Sequence, residues 1–321
     1  LDADLFCRSF LAPLEPHRKH IGVLMFEFTR FAPGTWATPS AFAEALDTFF
    51  HQLPTGWQYG VELRNPELLH PDYLVFDLDA DPSESTPITL PADLGAKIHR
   101  IDHDVHAEGA LFTAINRLIE AAPGIWLYYS YNAEYLFHPF CETRNVRELV
   151  AFHAEERREA MLSYVIDLYA DDLGRFQNAV SLEQAHLDRS GYYALGRPDA
   201  ANHNYPKERQ LDFFGGLRWR FEEHIPVPRR KIDRIALFKA KPGLILRPDY
   251  TFNDEEFNTY ACPWHNNITT TVMSFRTAKA LRSNAGSMFD IRDFRWHNSV
   301  RFEWHSQQLM DLGLMEPGQW F

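Results

Sequence analysis

WLYYSYNAEYLFHPFCETRNVRELVAFHAEERREAMLSYVIDLY, residues 126–169, alternates two patterns, and that alternation decides the fold class. WLYYSY (126–131) and MLSYVIDLY (161–169) are short apolar runs rich in aromatic and branched residues, as expected of strands buried on both faces. Between them Asn145 stands three residues before Glu148, a capping-box-like start to a charged helix running through Glu159. Strand, helix, strand in that order implies parallel neighbours joined by a crossover.

The alternation extends toward the N-terminus. Residues 97–101 read as a short strand, and Leu111, Ile115, Leu118 and Ile119 give the next helix an apolar stripe that Pro123-Gly124 ends. YLVFDL (73–78) is another buried-type strand, running into Asp77, Asp79 and Asp81. The Pro/Ser/Thr-rich loop over 82–91 then marks an internal boundary. IGVLMFEF (21–28) and WQYGVEL (57–63) flank a helix with Ser40 as N-cap and Phe42, Leu46, Phe49, Phe50 and Leu53 on one face. That makes one β-α-β unit. Beyond Ala170 the pattern loosens into aromatic segments broken by Gly and Pro, with a late helix around 271–281 and no internal repeat. The expectation is an α/β fold with a mostly parallel sheet, preceded by a β-α-β segment.

With 321 residues, 45% of them hydrophobic and 14% aromatic, the chain has enough core for one large or two ordinary domains. A formal net charge of -12 argues against nucleic acid as a partner. Cys7, Cys141 and Cys262 are far apart, which fits neither a disulfide framework nor a zinc module and points to a reducing compartment. No apolar run approaches the ~18 residues of a spanning helix. The expected location is cytoplasmic. The sequence begins at Leu1 rather than Met, as a truncated N-terminus would.

Several motifs carry a family resemblance. The helix ending at Pro123-Gly124, the run 126–144 and VIDLYADDL (165–173) come first. FFGGLRWR (213–220), RRKIDRIALFKAK (229–241), CPWHNN (262–267) and the ending FEWHSQQLMDLGLMEPGQWF follow. In this order and spacing, residues 97–321 resemble bacterial family 2 glycosyltransferases of the GT-A type with a long C-terminal extension. The resemblance implies a GT-A-like sandwich, with 73–170 as nucleotide-sugar-binding core and 171–321 as acceptor-side extension. It implies transfer of a sugar from a nucleotide sugar to a glycan or other hydroxyl acceptor. A divalent ion, Mn or Mg, would clamp the donor diphosphate. The family's Asp-x-Asp-Glu-like signature falls on Ser130-Tyr131-Asn132-Ala133-Glu134, where only Glu134 matches. Either a different ligand set handles the donor, or metal-dependent activity is lost and the chain is a decayed fusion that binds glycan or a protein partner.

The N-terminal segment, residues 1–72, carries a second likeness, and a third spans 70–79. IGVLMFEFTRF (21–31) and YGVELRNPELL (59–69) resemble the middle of the YecE-like domain of unknown function 72, a TIM-barrel family, which would assign Glu27, Glu62 and Arg64 to a pocket. Two strands cannot close a barrel. HPDYLVFDLD (70–79) is similar to the metal-binding strand of the polymerase domain in bacterial end-joining ligases, without support from the residues around it.

Sugar transfer needs a cation or basic groups on the departing diphosphate, a base for the acceptor hydroxyl, and a surface for the ligand. Asp77, Asp79 and Glu134 fall at strand ends, where open α/β sheets place ligands. Asp79 and Glu134 are the candidate metal ligands, with Asn132 beside them. Turn capping by the aspartates and an arginine partner for Glu134 are the structural alternatives. Asp167 interrupts an apolar strand, and a buried acid needs a partner or a task, so it is the candidate base. Arg218 and Arg230 belong to a basic stretch suited to a diphosphate, or to a salt-bridged face. Trp264 and His265 suit stacking on a sugar ring, as do Trp304 and His305, although each tryptophan also suits a core. His99, His103 and His106 lie among acids but pass from strand to loop, which sends their side chains in different directions.

Overall fold

The computed structural model describes residues 2–21, 23–28, 31–32, 35–36, 39–63, 74–79, 97–102, 107–259 and 267–320. The chain divides into two compact units, Leu1–Asp104 and Val105–Phe321.

In the first unit, β1 (Val23–Phe28) and β2 (Gln58–Leu63) pair in parallel, and the helix Pro39–His51 connects them. The expected β-α-β unit is therefore present. Phe42 and Phe49 are buried on one helix face, with Leu53 just past the helix end. Phe49 and Phe50 meet the Phe26 ring edge to face at 5.2 and 5.6 Å, contacts that each stabilise by about 0.5–1.5 kcal/mol beyond area burial. β3 (Leu74–Asp79) and β4 (Lys97–Asp102) form a second parallel ladder, with Asp79 level with Asp102.

The second unit holds β5 (Trp126–Tyr128), β6 (Glu134–Phe137), β7 (Ala160–Asp167), β8 (Tyr169–Ala170), β9 (Ala185–Asp188), β10 (Tyr193–Asp199), β11 (Tyr205–Phe214), β12 (Asp233–Lys239), β13 (Thr270–Ser274) and β14 (Ser299–Arg301). Five of them make one sheet in the order β5-β12-β7-β13-β6. β8, β9 and β14 make a three-stranded sheet, and β10 with β11 a hairpin. The five-stranded sheet draws β5, β6 and β7 from the segment expected as a core, and β12 and β13 from the segment expected as an extension.

The α/β class holds, but the expected mostly parallel sheet does not describe this one. β7 and β13 run parallel, whereas β5 with β12, β12 with β7, and β13 with β6 are antiparallel. Link length supplies one reason. Only residues 129–133 join β5 to β6, and a parallel return needs a crossover of about a dozen residues or more. The chain therefore reverses. β5 and β6 also occupy opposite edges, about 19 Å apart on a flat sheet, while the steps from Tyr128 to Glu134 reach at most about 20–22 Å. The link must stretch across the sheet's end unless the sheet curls.

It does curl. Arg234 of β12 is level with Ser163, and Glu134 of β6 is level with Ser274 and Asp167. A flat sheet would set the two about 14 Å apart across the strands and about 13 Å along them, yet they form an ion pair at 2.6 Å. Small and medium side chains line the same face: Val165, Ala236 and Val272, with Leu136 against them. The opposite face carries the main core, where Tyr164, Ile166 and Met273 pack with Phe137, Phe275 and Phe302.

The helix Ala110–Ala121 seats Ile115 and Ile119 against Phe238, Leu244 and Phe252. The helix Val146–Glu155 starts at the expected capping box: the Glu148 N–H donates to Asn145 at 3.0 Å, and the Asn145 N–H to Glu148 at 2.7 Å. The late helix expected around 271–281 divides into β13 and a helix, Arg276–Ser283. The Thr-Thr-Val-Met run is fully buried between β7 and β6, and β-branched side chains favour that pleated setting.

Candidate functional site

β7 and β13 end together at one edge of the sheet, with Asp167 level with Ser274. Across β13, Ser274 is level with Glu134, the first residue of β6. The register thus brings Asp167 and Glu134 to one edge, about two strand spacings or ~10 Å apart. Residues 129–133 run along the same end, with Ala133 at φ 59 turning the chain into β6.

Glu134 is fully engaged. Its carboxylate accepts from Arg234 Nη2 at 2.6 Å, from the Tyr131 N–H at 2.9 Å and from the Ser274 hydroxyl at 3.3 Å. Arg234 is buried as well, and lies 5.3 Å from the Tyr129 ring and 5.8 Å from the Tyr131 ring. Burial works against its charge, but Glu134 together with Tyr129 and Tyr128 outweighs burial and holds the guanidinium above its ordinary value. Tyr129 and Tyr131 phenols are both raised, chiefly by burial. Tyr131 shares a hydroxyl–hydroxyl bond of 2.9 Å with Tyr250 and stacks under Arg276 at 3.7 Å.

Asp167 is 2% exposed, and neither of its oxygens accepts a well-formed hydrogen bond. Arg218 Nε stands 3.5 Å from Oδ1. The Thr277 hydroxyl and the Arg218 N–H approach without reaching hydrogen-bond geometry. Burial pushes the carboxyl above its ordinary 3.8, against the pull of Arg218. Beside it the chain turns through Gly215 and Gly216. A Cβ on Gly215 (φ 153) would meet the Tyr192 ring at 2.2 Å, and one on Gly216 (φ 62) would stand 3.3 Å from Asp167 Oδ2. Only glycine fits that double turn. The Tyr192 hydroxyl is buried and unpartnered, and its phenol lies well above the ordinary value through burial and the nearby charges of Asp188 and Asp167.

The other expected site residues are placed as follows. Arg218 donates to the Lys231 carbonyl at 2.6 Å as well as facing Asp167. Arg230 folds back onto the Ile225 carbonyl and Glu222, away from any shared role with Arg218. Asn132 is exposed on the link. Trp304 packs on Tyr135 and Phe302 while its indole N–H donates to Leu182, and His305 caps the helix Ser306–Asp311. The side chains of Asp77, Asp79, Glu27, Glu62 and His99, together with Arg64, His103, His106, Cys262, Trp264, His265 and the loop 82–91, lie outside the described residues.

Sequence reasoning passed over three features. Arg234 sits in the apolar run Ile232–Phe238, and the logic that singles out Asp167 also marks it. Tyr192 carries no comparable signal. Asp188 ends β9 and gathers Arg220 at 3.1 Å, the Trp296 indole at 2.7 Å and the Tyr169 hydroxyl, a saturated network that ties the three-stranded sheet to the Arg220 turn.

Among the described residues no three His, Cys, Asp or Glu side chains converge to hold a metal ion. None of the helices there is long and apolar enough to cross a membrane. No protein-family model matches the chain, and neither a curated protein nor a solved structure matches it.

Proposed function

We propose that the Val105–Phe321 unit transfers a sugar from a nucleotide sugar to a hydroxyl acceptor, with Asp167 as the base that takes the acceptor proton. One observation carries the reading: a buried carboxylate with raised pKa and no well-formed hydrogen bond stands at the end of paired parallel strands. A base needs a raised pKa to hold the proton it takes. Gly216 keeps side-chain atoms off the Oδ2 side, where a Cβ would stand 3.3 Å away. Arg218 beside it neutralises the carboxylate before transfer, and the exposed Arg276, outside any ion pair among the described residues, suits the departing diphosphate. Glu134 does not fit the metal role, because a divalent ion there would have to displace a buried guanidinium. No step of the proposed reaction runs through a metal.

The Glu134–Arg234 pair also favours a second reading, a non-catalytic chain that binds glycan or a protein partner without transfer. A release assay separates the two. The full chain is incubated with UDP-, GDP-, dTDP- and ADP-sugars and a panel of glycans, and free nucleotide diphosphate is measured. Transfer predicts acceptor-dependent release that falls by about 10²–10⁴ in Asp167→Asn. Absence of release from every donor, or equal release by the variant, overturns the assignment of Asp167.

A further inference from the structure

Between the β10–β11 hairpin and the turn holding Arg247 and Asp249 lies a cleft of about 410 Å³. Most of its charges are already matched. Arg197 joins Asp212 at 2.7 Å to the buried Asp233 at 3.0 Å, and Lys231 reaches Asp212 at 3.3 Å. Lys207 and the Gln210 amide N–H hold Glu255 at 2.9 and 2.7 Å.

Four groups are left over, one of them the Asp199 carboxylate, which among the described residues accepts only from the Ala201 N–H. Arg247 is exposed, and its guanidinium makes no hydrogen bond or ion pair with a described residue; only its backbone is bonded, to Thr251 and Tyr250. The Asp249 carboxylate accepts only from the Thr251 N–H and hydroxyl. Burial would raise its pKa, but Thr251, Lys231 and Arg197 outweigh burial and keep it ionised. Gln210 is 5% exposed and keeps its carbonyl oxygen without a donor, an omission that costs about 1–3 kcal/mol.

We propose that this cleft binds a small zwitterion of the amino-acid type, a ligand carrying a carboxylate and an ammonium on one framework. Arg247 takes the carboxylate, and Asp249 with the Gln210 carbonyl takes the ammonium. A purely anionic ligand would face Asp249 and Asp199, and a purely cationic one would face Arg247. A neutral polyol would cover these charges without neutralising them, which leaves their desolvation uncompensated. Lys231 lines the cleft, and its carbonyl accepts from Arg218 beside Asp167.

The full chain is titrated by calorimetry with glycine, alanine, serine, glutamine, glutamate and lysine, and with ethylamine, acetate and methyl glucoside as single-feature controls. At least one amino acid should bind about tenfold or more tightly than every control. Arg247→Gln, on the exposed turn, should weaken that binding by about tenfold without lowering Tm. Gln210→Leu should weaken it while sparing the Lys207–Glu255 pair. Three results overturn the proposal: no amino acid binds at millimolar concentration, a control binds equally well, or Arg247→Gln binds like the parent.

Discussion

Asp167 and Glu134 stand level on either side of Ser274, and the fold treats the two carboxylates in opposite ways. Glu134 is paired with Arg234, a tyrosine N–H and a serine hydroxyl. Asp167 lacks comparable donors and responds by a raised pKa. Burial permits either solution, a partner or a proton.

Glu134→Gln should destabilise the second unit by about 3–5 kcal/mol, because it strands a buried guanidinium. Replacing the pair together, Glu134→Leu with Arg234→Met, should recover most of that loss, since similar apolar volumes remove both charges. Urea denaturation of the parent, both single variants and the double variant measures the coupling. A Gln variant as stable as the parent would show that the pair does not hold β6 against β12.

Asp167 gives a pH signature of defined sign. Its folded pKa lies above the unfolded 3.8, so the folded state binds the proton more tightly. Its contribution is complete below pH 3.8 and is lost as pH rises through the folded value. Asp167→Asn should remove that decline, leaving the variant at least as stable as the parent at neutral pH. Parallel denaturation curves across pH, with the same slope for both proteins, would refute the burial argument.

The sequence makes elements more legible than their arrangement. The Asn145–Glu148 spacing and the apolar stripe of Leu111, Ile115, Leu118 and Ile119 predict helices from local chemistry alone, and both helices are present. Strand direction depends on what joins the strands. The short link over 129–133 reverses the chain, and β12 enters between β5 and β7 from far along the sequence. The first is legible only once 134–137 is read as a strand, and the second has no local signal. The site divides in the same way: Asp167 is visible because an acid interrupts an apolar strand, whereas Tyr192 reaches it only through tertiary packing.

His153 supplies a second pH dependence of opposite sign. Burial lowers its pKa from 6.5 to about 4, and its Nε2–H donates to the Ala160 carbonyl at 2.8 Å. The unfolded chain takes up the proton first as pH falls, so the stability present above pH 6.5 drains away toward pH 4. The loss should be on the order of 3 kcal/mol. His153→Gln should flatten the stability profile across that window, and guanidinium titrations at successive pH values measure it. An unchanged slope would place the proton uptake on another group.

The last prediction separates the two glycines beside Asp167. A methyl group on Gly215 would sit 2.2 Å from the Tyr192 ring, so Gly215→Ala should cost about 1–3 kcal/mol of stability through overpacking. Removing the ring in the double variant with Tyr192→Ala should relieve the clash, leaving the cost of an unfavourable backbone angle and a cavity. Gly216→Ala meets no ring so closely. Its φ of 62 costs about 1–2 kcal/mol for a residue with a Cβ, and the new methyl stands 3.3 Å from Asp167 Oδ2, in space that an acceptor hydroxyl would need under the transfer reading. If Asp167 is the base, Gly216→Ala should depress kcat/KM for transfer well beyond its effect on stability, and Gly215→Ala should depress both together. Urea titration alongside initial rates gives the two quantities. Equal loss of rate per unit of stability in both variants would mean that Gly216 shapes the turn alone and leaves the approach to Asp167 untouched.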